Sequence, residues 1–179
     1  MKILFVGPVG SGKSTQARLL ADHLGIPLID TGSILRKKAQ EKDIEGEIIK
    51  EAIKSGVLVD DDIAARAIRE RIEELDTSKG FVMDGYPRSL EQLKFFDPEF
   101  DKVIYLNLSD DLVKERLRKR GREDDTKEVI ETRLKSYHQH TYPILKHYSD
   151  MGILTEIDAS QTVDQIREGI KGACSDCEA

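Results

Sequence analysis

The sequence predicts an α/β fold in which a five-stranded, mainly parallel sheet carries helices on both faces. Short apolar runs alternate along the 179 residues with longer segments that repeat apolar residues at helical spacing. Repeated strand–helix units favour a parallel sheet, because each crossover helix returns the chain to the end of the sheet at which the previous strand began. No internal repeat or linker interrupts this alternation, so we expect a single domain over residues 1–179.

Five segments have the length and composition of strands. The first, KILFV, is a short apolar run bounded by Gly7, which is typical of a buried strand in a parallel sheet. The candidates in chain order are residues 2–6, 26–30, 80–84, 101–108 and a weaker run at 152–158.

The segments between these strands have helical patterns. Residues 13–24 and 63–72 repeat apolar side chains on one face, and Gly25 can end the first of these helices. A long helix is predicted from Thr126. Because proline lacks a backbone N–H and clashes with the preceding turn, Pro143 should kink or split that helix.

The composition excludes several classes of protein. A formal net charge of −6 argues against a general nucleic-acid binder, since such proteins carry a basic excess that neutralises phosphates. The first apolar run breaks at Gly7 and Pro8 and is too short for a signal-peptide core or a membrane span. We therefore expect a cytoplasmic, monomeric protein that associates with neither membrane nor nucleic acid.

The cysteines and histidines predict no metal centre. Cys174 and Cys177 form a C-x-x-C pair, but a zinc site needs four ligands and no second pair is present. We interpret the pair as incidental and its terminal tail as mobile. His138 and His140 are two residues apart and do not share a helix face, and His147 lies further on.

Residues 7–15, GPVGSGKST, satisfy the pattern G-x-x-x-x-G-K-[ST] between a predicted strand and a predicted helix. Glycines let backbone N–H groups approach phosphate oxygens, and the helix N-terminus adds a field that favours anions. We expect Lys13 to reach the outer phosphates and Ser14 to bind Mg²⁺. A chance glycine-rich turn is the alternative, but pattern and context together favour a nucleotide site. The predicted ATP-binding residues of this loop are Gly10, Ser11, Gly12, Lys13, Ser14 and Thr15.

The block VMDGYPRSLEQ indicates a second anion close to the first. Asp84 ends a predicted strand, where a carboxylate can hold Mg²⁺ or its waters beside the phosphate loop. Arg88 follows a proline in a stiff turn at the edge of the sheet where ligands bind. A surface salt bridge is the plainer interpretation of Arg88, but a second phosphate explains its position better. Together the two blocks suggest phosphoryl transfer between two phosphate-bearing substrates.

Five blocks, taken in order along the chain, resemble the short-lid type of adenylate kinase, a nucleoside monophosphate kinase. They are GPVGSGKSTQA, DTGSILR, SGVLVDDD, DGYPRSLEQ, and RKRGREDDT with Arg133 further on. The resemblance runs through nearly the whole chain, and the blocks in this order are highly specific. Val9, Ser33 and Asp60 depart from it, standing where that family often has proline, aspartate and proline.

The resemblance implies two nucleotide sites, with an AMP-binding insert at about residues 30–59 and a short lid at residues 119–126. The AMP-binding residues that it implies are Thr31, Arg36, Val57, Leu58, Val59, Gly85, Tyr86, Pro87, Arg88, Gln92, Arg122 and Arg133. The residues that it adds on the ATP side are Arg116, Arg120 and Gln161.

Transfer between nucleotides requires positioning, charge neutralisation and exclusion of water rather than a covalent intermediate. We expect Arg88, with Arg36 opposite, to hold the AMP phosphate. We expect Asp124 and Asp125 to pair with the lid arginines when the lid shuts. The predicted catalytic residues are Lys13, Arg88, Arg120, Arg122 and Arg133, and the predicted Mg²⁺ ligands are Ser14 and Asp84.

The predicted function is a magnesium-dependent kinase that interconverts ATP plus AMP with two ADP. A kinase for UMP or CMP is the alternative within the same class. An ATP-binding regulatory module that hydrolyses slowly is the alternative from another class, but such a module has no need of arginines for a second nucleotide. Formation of ADP with AMP, UMP, CMP or no acceptor discriminates among the three.

Overall fold

The computed structural model describes residues 1–122 and 125–175, and within them five strands form one parallel sheet. Its strand order is β2-β3-β1-β4-β5, and every neighbouring pair is parallel. The strands are β1 Lys2–Val6, β2 Leu28–Asp30, β3 Phe81–Asp84, β4 Lys102–Asn107 and β5 Leu154–Asp158. The predicted fold class is confirmed.

Helices connect and cover the strands. The helices that precede β4 are α1 Lys13–Leu24, α2 Thr31–Lys38, α3 Ile44–Ser55, α4 Asp61–Glu73 and α5 Leu90–Phe95. Those that follow are α6 Asp110–Arg120, α7 Lys127–Ser136, a π-helical turn Tyr137–Thr141, α8 Tyr142–Asp150 and α9 Val163–Ala173.

Alternation along β1 produces an apolar core on each face of the sheet, because successive side chains of a strand point to opposite faces. Ile3 and Phe5 pack into one buried cluster, which also contains residues of α1, α6 and α9. Leu4 and Val6 pack into the other, with residues of α4 and α8. A third, smaller cluster around Ile49 links α3 to the start of α4.

The long predicted helix is divided close to Pro143. Thr126 caps α7 by accepting a hydrogen bond from the backbone N–H of Val129. The backbone stays helical through the π turn and into α8, where Pro143 occupies the first turn. Proline donates no backbone hydrogen bond to the preceding turn, and the regular α-helical pattern gives way to the π turn immediately before it.

The prediction of a mobile cysteine tail is wrong for Cys174. This residue follows α9, is 4% exposed and packs into the cluster that contains Ile3. Cys177 lies outside the described residues. In residues 1–122 and 125–175, no group of three or more histidine, cysteine, aspartate or glutamate side chains could hold a metal. None of the helices in the same ranges combines the length and apolar character that a membrane span requires.

Candidate active site

The phosphate loop joins the end of β1 to the start of α1. A Cβ atom at Gly7 would lie 2.5 Å from the carbonyl oxygen of Leu106, so only glycine fits this close approach to β4. Gly12 precedes α1 with φ 92° and gives the helix no side-chain cap. The first N–H groups of α1 are therefore not capped by its N-cap residue, as an anion-binding helix N-terminus requires.

Lys13 lies across this loop. Its ammonium donates to the carbonyl oxygens of Gly7 and Pro8, at 2.8 Å each. Burial lowers the pKa of Lys13 from 10.5 to about 8; Asp84 opposes that change, and Arg88 and Arg120 add to it. Charged groups at the end of β3, in the turn that follows it and at the end of α6 therefore affect the pKa of Lys13.

Asp84 lies at the carboxyl end of β3, beside β1 and β2 in the sheet. It pairs in register with Phe5 and with Asp30, and it is only 4% exposed. The hydroxyl of Ser14 donates to the Asp84 carboxylate at 2.5 Å. A hydroxyl and a carboxylate are hard oxygen ligands of the kind that Mg²⁺ prefers, so this pair fits the predicted ion.

The turn after β3 holds the backbone of Arg88 from both sides. Its N–H donates to Oε1 of Gln92 at 2.7 Å, and its carbonyl oxygen accepts from the hydroxyl of Thr141 at 2.9 Å. Nε of Arg88 donates to the carbonyl oxygen of Gly85 at 3.2 Å. These bonds determine the direction in which the guanidinium leaves the turn.

The Arg88 guanidinium lies among other charges in the cleft. Although the residue as a whole is exposed, the surrounding walls limit solvation of the guanidinium, and burial is the main factor that lowers its pKa. Asp84 opposes this change, whereas Arg133 and Arg36 lower the pKa further. Cations from α2, the β3 turn and α7 therefore converge, an arrangement suited to a polyanionic ligand.

The start of α2 provides a polar wall beside this cluster. Asp30 caps α2 by accepting from the backbone N–H of Ser33, and the Ser33 hydroxyl donates to the same carboxylate. Arg36 donates to the Ser33 hydroxyl at 3.2 Å. The hydroxyl of Thr31 is buried and has no hydrogen-bond partner among the described residues. A buried polar group without a partner in the protein often marks a ligand position.

Residues 57–59 lead from α3 to α4 and differ in exposure. Val57 is 51% exposed, Leu58 is half-buried, and Val59 is 8% exposed and packs into the cluster around Ile49. The residue before them, Gly56, lies directly against Val129 of α7. Residues 30–59, the predicted insert, therefore contact the helix that carries Arg133.

Asp125 pairs with the predicted lid arginines. Its side chain is 1% exposed and accepts two bonds from Arg120, at 2.8 and 2.6 Å, and one from Arg133 at 3.4 Å. The backbone N–H of Arg122 also donates to it. Burial raises the pKa of Asp125, but its bonds and the arginine charges outweigh burial and lower that pKa overall. Asp124, predicted to act likewise, lies outside the described residues.

Arg116 and Gln161 both lie near the loop that follows the carboxyl end of β5. Arg116 donates to the carbonyl oxygen of Ala159 at 2.8 Å. The pKa of Asp158 is lowered chiefly by hydrogen bonds from Ser160, with smaller contributions from the Gln161 side chain and the Arg116 charge. Both residues therefore border the same loop, next to the phosphate-loop side of the sheet.

Two residues that support the Arg88 turn have roles that the sequence did not reveal. The Tyr86 ring is 1% exposed, and its hydroxyl donates to the carbonyl oxygens of Gln92 and Phe96. The ring therefore supports the turn from the core and does not face the cleft. Thr141 was not predicted at all, because an unremarkable threonine 53 residues after Arg88 carries no local signal of this contact.

A parallel α/β sheet with a glycine loop and a lysine between its first strand and first helix defines a P-loop nucleotide-binding protein. Comparison with known proteins narrows this class. A model of the adenylate kinase family matches residues 5–153, and the chain belongs to that family.

Individual relatives match over almost their whole length. Adenylate kinase 1 of Nostoc sp. is 38% identical over 177 residues, which cover 95% of this chain and 96% of that protein. The adenylate kinase of Corynebacterium urealyticum is 39% identical over 175 residues, 94% of this chain and 96% of that protein. That of Mycobacterium ulcerans is 40% identical over 173 residues, 93% of this chain and 94% of that protein. The predicted resemblance is confirmed.

Proposed function

We infer that the protein transfers the terminal phosphoryl group of ATP to AMP and gives two ADP. The observation that carries this conclusion is the placement of two anion-binding elements at the carboxyl end of β3: Ser14, next to Lys13, bonds Asp84 at the end of that strand, and Arg88 is held in the turn that follows it. The loop lysine is proposed to bind the phosphates of one nucleotide, and the turn arginine is proposed to bind the phosphate of the other in the same cleft. Two phosphate groups held there would be close enough to react, and holding reactants together supplies much of the catalysis.

On the ATP side, the phosphate loop is proposed to surround the phosphates with its backbone N–H groups. Lys13 would exchange its bonds to Gly7 and Pro8 for phosphate oxygens. Arg116 and Gln161, at the end of β5, are proposed to border the ATP base. The loop residues assigned to ATP are Gly10, Ser11, Gly12, Lys13, Ser14 and Thr15.

On the AMP side, Arg36 and Arg88 are proposed to hold the phosphate. The buried, unpartnered hydroxyl of Thr31 supports a contact with the adenine base. Gln92 links the base to the phosphate, because its amide is proposed to contact adenine while Oε1 holds the Arg88 N–H. The remaining residues assigned to this site are Val57, Leu58, Val59, Gly85, Tyr86 and Pro87, of which Tyr86 contributes through its backbone.

Arg120, Arg122 and Arg133 are proposed to stabilise the charge that develops on the transferring phosphoryl group. Their common partner Asp125 supports this assignment, since it already holds two of the guanidinium groups together. Residues 119–126 are proposed to act as a short lid and residues 30–59 as a mobile insert. Their closure would exclude water, which otherwise competes with AMP as the acceptor.

Ser14 and Asp84 are proposed to hold Mg²⁺, with Asp84 acting in part through water. Bound Mg²⁺ neutralises phosphate charge and orients the terminal phosphates for in-line transfer. This chain's contribution is the hydroxyl–carboxylate pair beside the loop. Asp84 is positioned for this role at the carboxyl end of β3, and Ser14 follows Lys13 directly in the first turn of α1.

We further propose a cytoplasmic monomer that binds no nucleic acid. The net charge of −6 disfavours nucleic-acid phosphates. Sedimentation at enzyme concentrations used in assays tests the monomer.

The proposed reaction is tested by coupled detection of ADP with Mg-ATP and AMP, UMP, CMP or no acceptor. Among these acceptors, only AMP is expected to give rapid ADP formation with Mg-ATP, in the ratio of two ADP formed per AMP consumed. Equal use of UMP would refute the choice of acceptor while leaving phosphoryl transfer intact. Equal ADP formation without any acceptor would instead indicate a hydrolase or a regulatory module.

A further inference from the structure

Thr141 makes an unusual hydrogen bond for a threonine in a helical segment. Such hydroxyls commonly bond a carbonyl of their own helix, as Thr132 does with Glu128 at 2.9 Å. Thr141, at 8% exposure, instead donates to the carbonyl oxygen of Arg88 in the turn after β3. This bond joins two parts of the chain that are distant in sequence.

The position of Thr141 in the π-helical turn allows this contact. A π turn is wider than an α-helical turn and redirects the side chains that follow it. Thr141 is the last residue of that turn, which forms one continuous helical segment with α7 before it and α8 after it. Arg133 lies on α7, in the same segment. The hydroxyl therefore fixes the Arg88 backbone to the element that carries Arg133.

Such a link can position the two arginines, because the guanidinium groups of Arg88 and Arg133 carry like charges and repel one another. The charge of Arg133 contributes to the lowered pKa of Arg88, after the larger effect of burial. Two like charges separate unless their backbones are held or an anion lies between them. Gln92 holds the N–H of Arg88 within the turn, whereas Thr141 connects the turn to the helical segment that carries Arg133.

We propose that Thr141 is a positioning residue, which sets the Arg88 turn relative to Arg133 so that the AMP phosphate on Arg88 lies beside the transferring phosphoryl group on Arg133. The proposal rests on the proposed function, in which Arg88 contacts the AMP phosphate. Thr141 itself touches neither substrate. Its effect on the reaction should therefore disappear when residue 88 no longer carries a guanidinium, which can donate two hydrogen bonds to one phosphate group.

The test compares Thr141→Val, which removes only the hydroxyl, with Thr141→Ser, which keeps it, and with Thr132→Val as the matched control. For Thr141→Val we expect kcat with AMP to fall about tenfold, because a buried carbonyl loses its partner and Arg88 loses its position. The KM for ATP should stay unchanged. Thr141→Ser and Thr132→Val should keep the wild-type kcat. Thr141→Ala replaces Thr141→Val if that variant does not fold.

A double-mutant cycle with Arg88→Lys separates positioning from general support of the fold. Lysine keeps the charge but not the planar fork of donors, so Arg88→Lys alone should be strongly impaired. In that background Thr141→Val should lower kcat less than about twofold further, since coupled residues are not additive.

Two results would overturn the inference alone: loss of activity in Thr141→Ser, or a full tenfold effect of Thr141→Val in the Arg88→Lys background. Near-normal activity of Arg88→Lys by itself would refute the proposed role of Arg88, and the inference with it.

Discussion

Gly56 offers a test of whether residues 30–59 must approach α7 for catalysis. An alanine Cβ at this position would lie 3.0 Å from Cγ1 of Val129 and 3.1 Å from its carbonyl oxygen. Because carbon atoms pack best at about 3.5–4.0 Å, the two elements must move apart by about half an ångström or more. Overpacking of this kind costs about 1–3 kcal/mol. The change also places alanine at φ 73°, which by itself costs about 1–2 kcal/mol.

Gly25→Ala is the matched control for the backbone term. Gly25 also ends a helix in the left-handed region, with φ 64°, but an added Cβ meets no described atom within 4 Å. Gly25→Ala should lose about 1–2 kcal/mol of unfolding free energy, measured in urea, whereas Gly56→Ala should lose this amount and the packing cost of about 1–3 kcal/mol in addition. Only Gly56→Ala should also weaken AMP use, because only its methyl group opposes the contact with α7.

The assay measures the KM for AMP and the affinity for a ligand that joins two adenosines through a phosphate chain. For Gly56→Ala we expect that affinity to fall about 5–150-fold, the equivalent of the packing cost, with binding of ATP alone nearly unchanged. Wild-type affinity in Gly56→Ala would show that the contact with α7 is not part of the working enzyme. An equal loss in Gly25→Ala would attribute the effect to strain alone.

Four further outcomes are expected. Arg88→Ala should weaken AMP binding and transfer but leave the calorimetric affinity for ATP unchanged; a defect confined to ATP would contradict the proposed site. Thr31→Ala should raise the KM for AMP by about tenfold and narrow the preference over UMP, because AMP loses a buried partner; an unchanged preference would shift base recognition to residues 57–59. The two-adenosine ligand should bind far more tightly than ATP and raise the melting temperature, because linked groups engage intramolecularly and bind only the folded state; an affinity equal to that of ATP would contradict two adjacent sites. Asp125 has a pKa below its ordinary 3.8 in the folded protein. The contribution of its ionised carboxylate to the free energy of unfolding is therefore complete above about pH 3.8 and is lost as the pH falls through the lower pKa of the folded state. The difference in stability between wild type and Asp125→Asn should narrow below about pH 4 in urea titrations, and a constant difference would refute the ion pairing.

Local patterns in the sequence account for the sheet and the phosphate loop. The strands are short apolar runs next to glycine or polar residues, and the glycine pattern lies between a strand and a helix, so neighbouring residues contain the whole signal. Thr126 and Pro143 likewise mark the start and the division of a helix through their own chemistry. These features needed no knowledge of distant contacts.

Contacts between distant segments were not accessible in the same way. Tyr86 points into the core because its hydroxyl bonds the carbonyl oxygens of Gln92 and Phe96, which come within reach only when the turn is folded. Cys174 is buried because α9 brings it against the sheet, whereas its polar neighbours in sequence suggested a free tail. The bond from Thr141 to Arg88 depends on how a π turn rotates one residue, and helical periodicity does not show it.

The pairing of Asp125 with Arg120 and Arg133 has a consequence for turnover. Under the proposed function, a triphosphate that binds these guanidinium groups has to compete with the Asp125 carboxylate, which already pairs with them. Nucleotide binding is therefore an exchange of anions, in which the old contacts offset much of the gain from the new ones. Contacts that strengthen only as the phosphoryl group moves are not offset in this way. On the proposed function, the carboxylate would thus weaken the binding of substrate and product alike, which would help ADP to leave once transfer is complete.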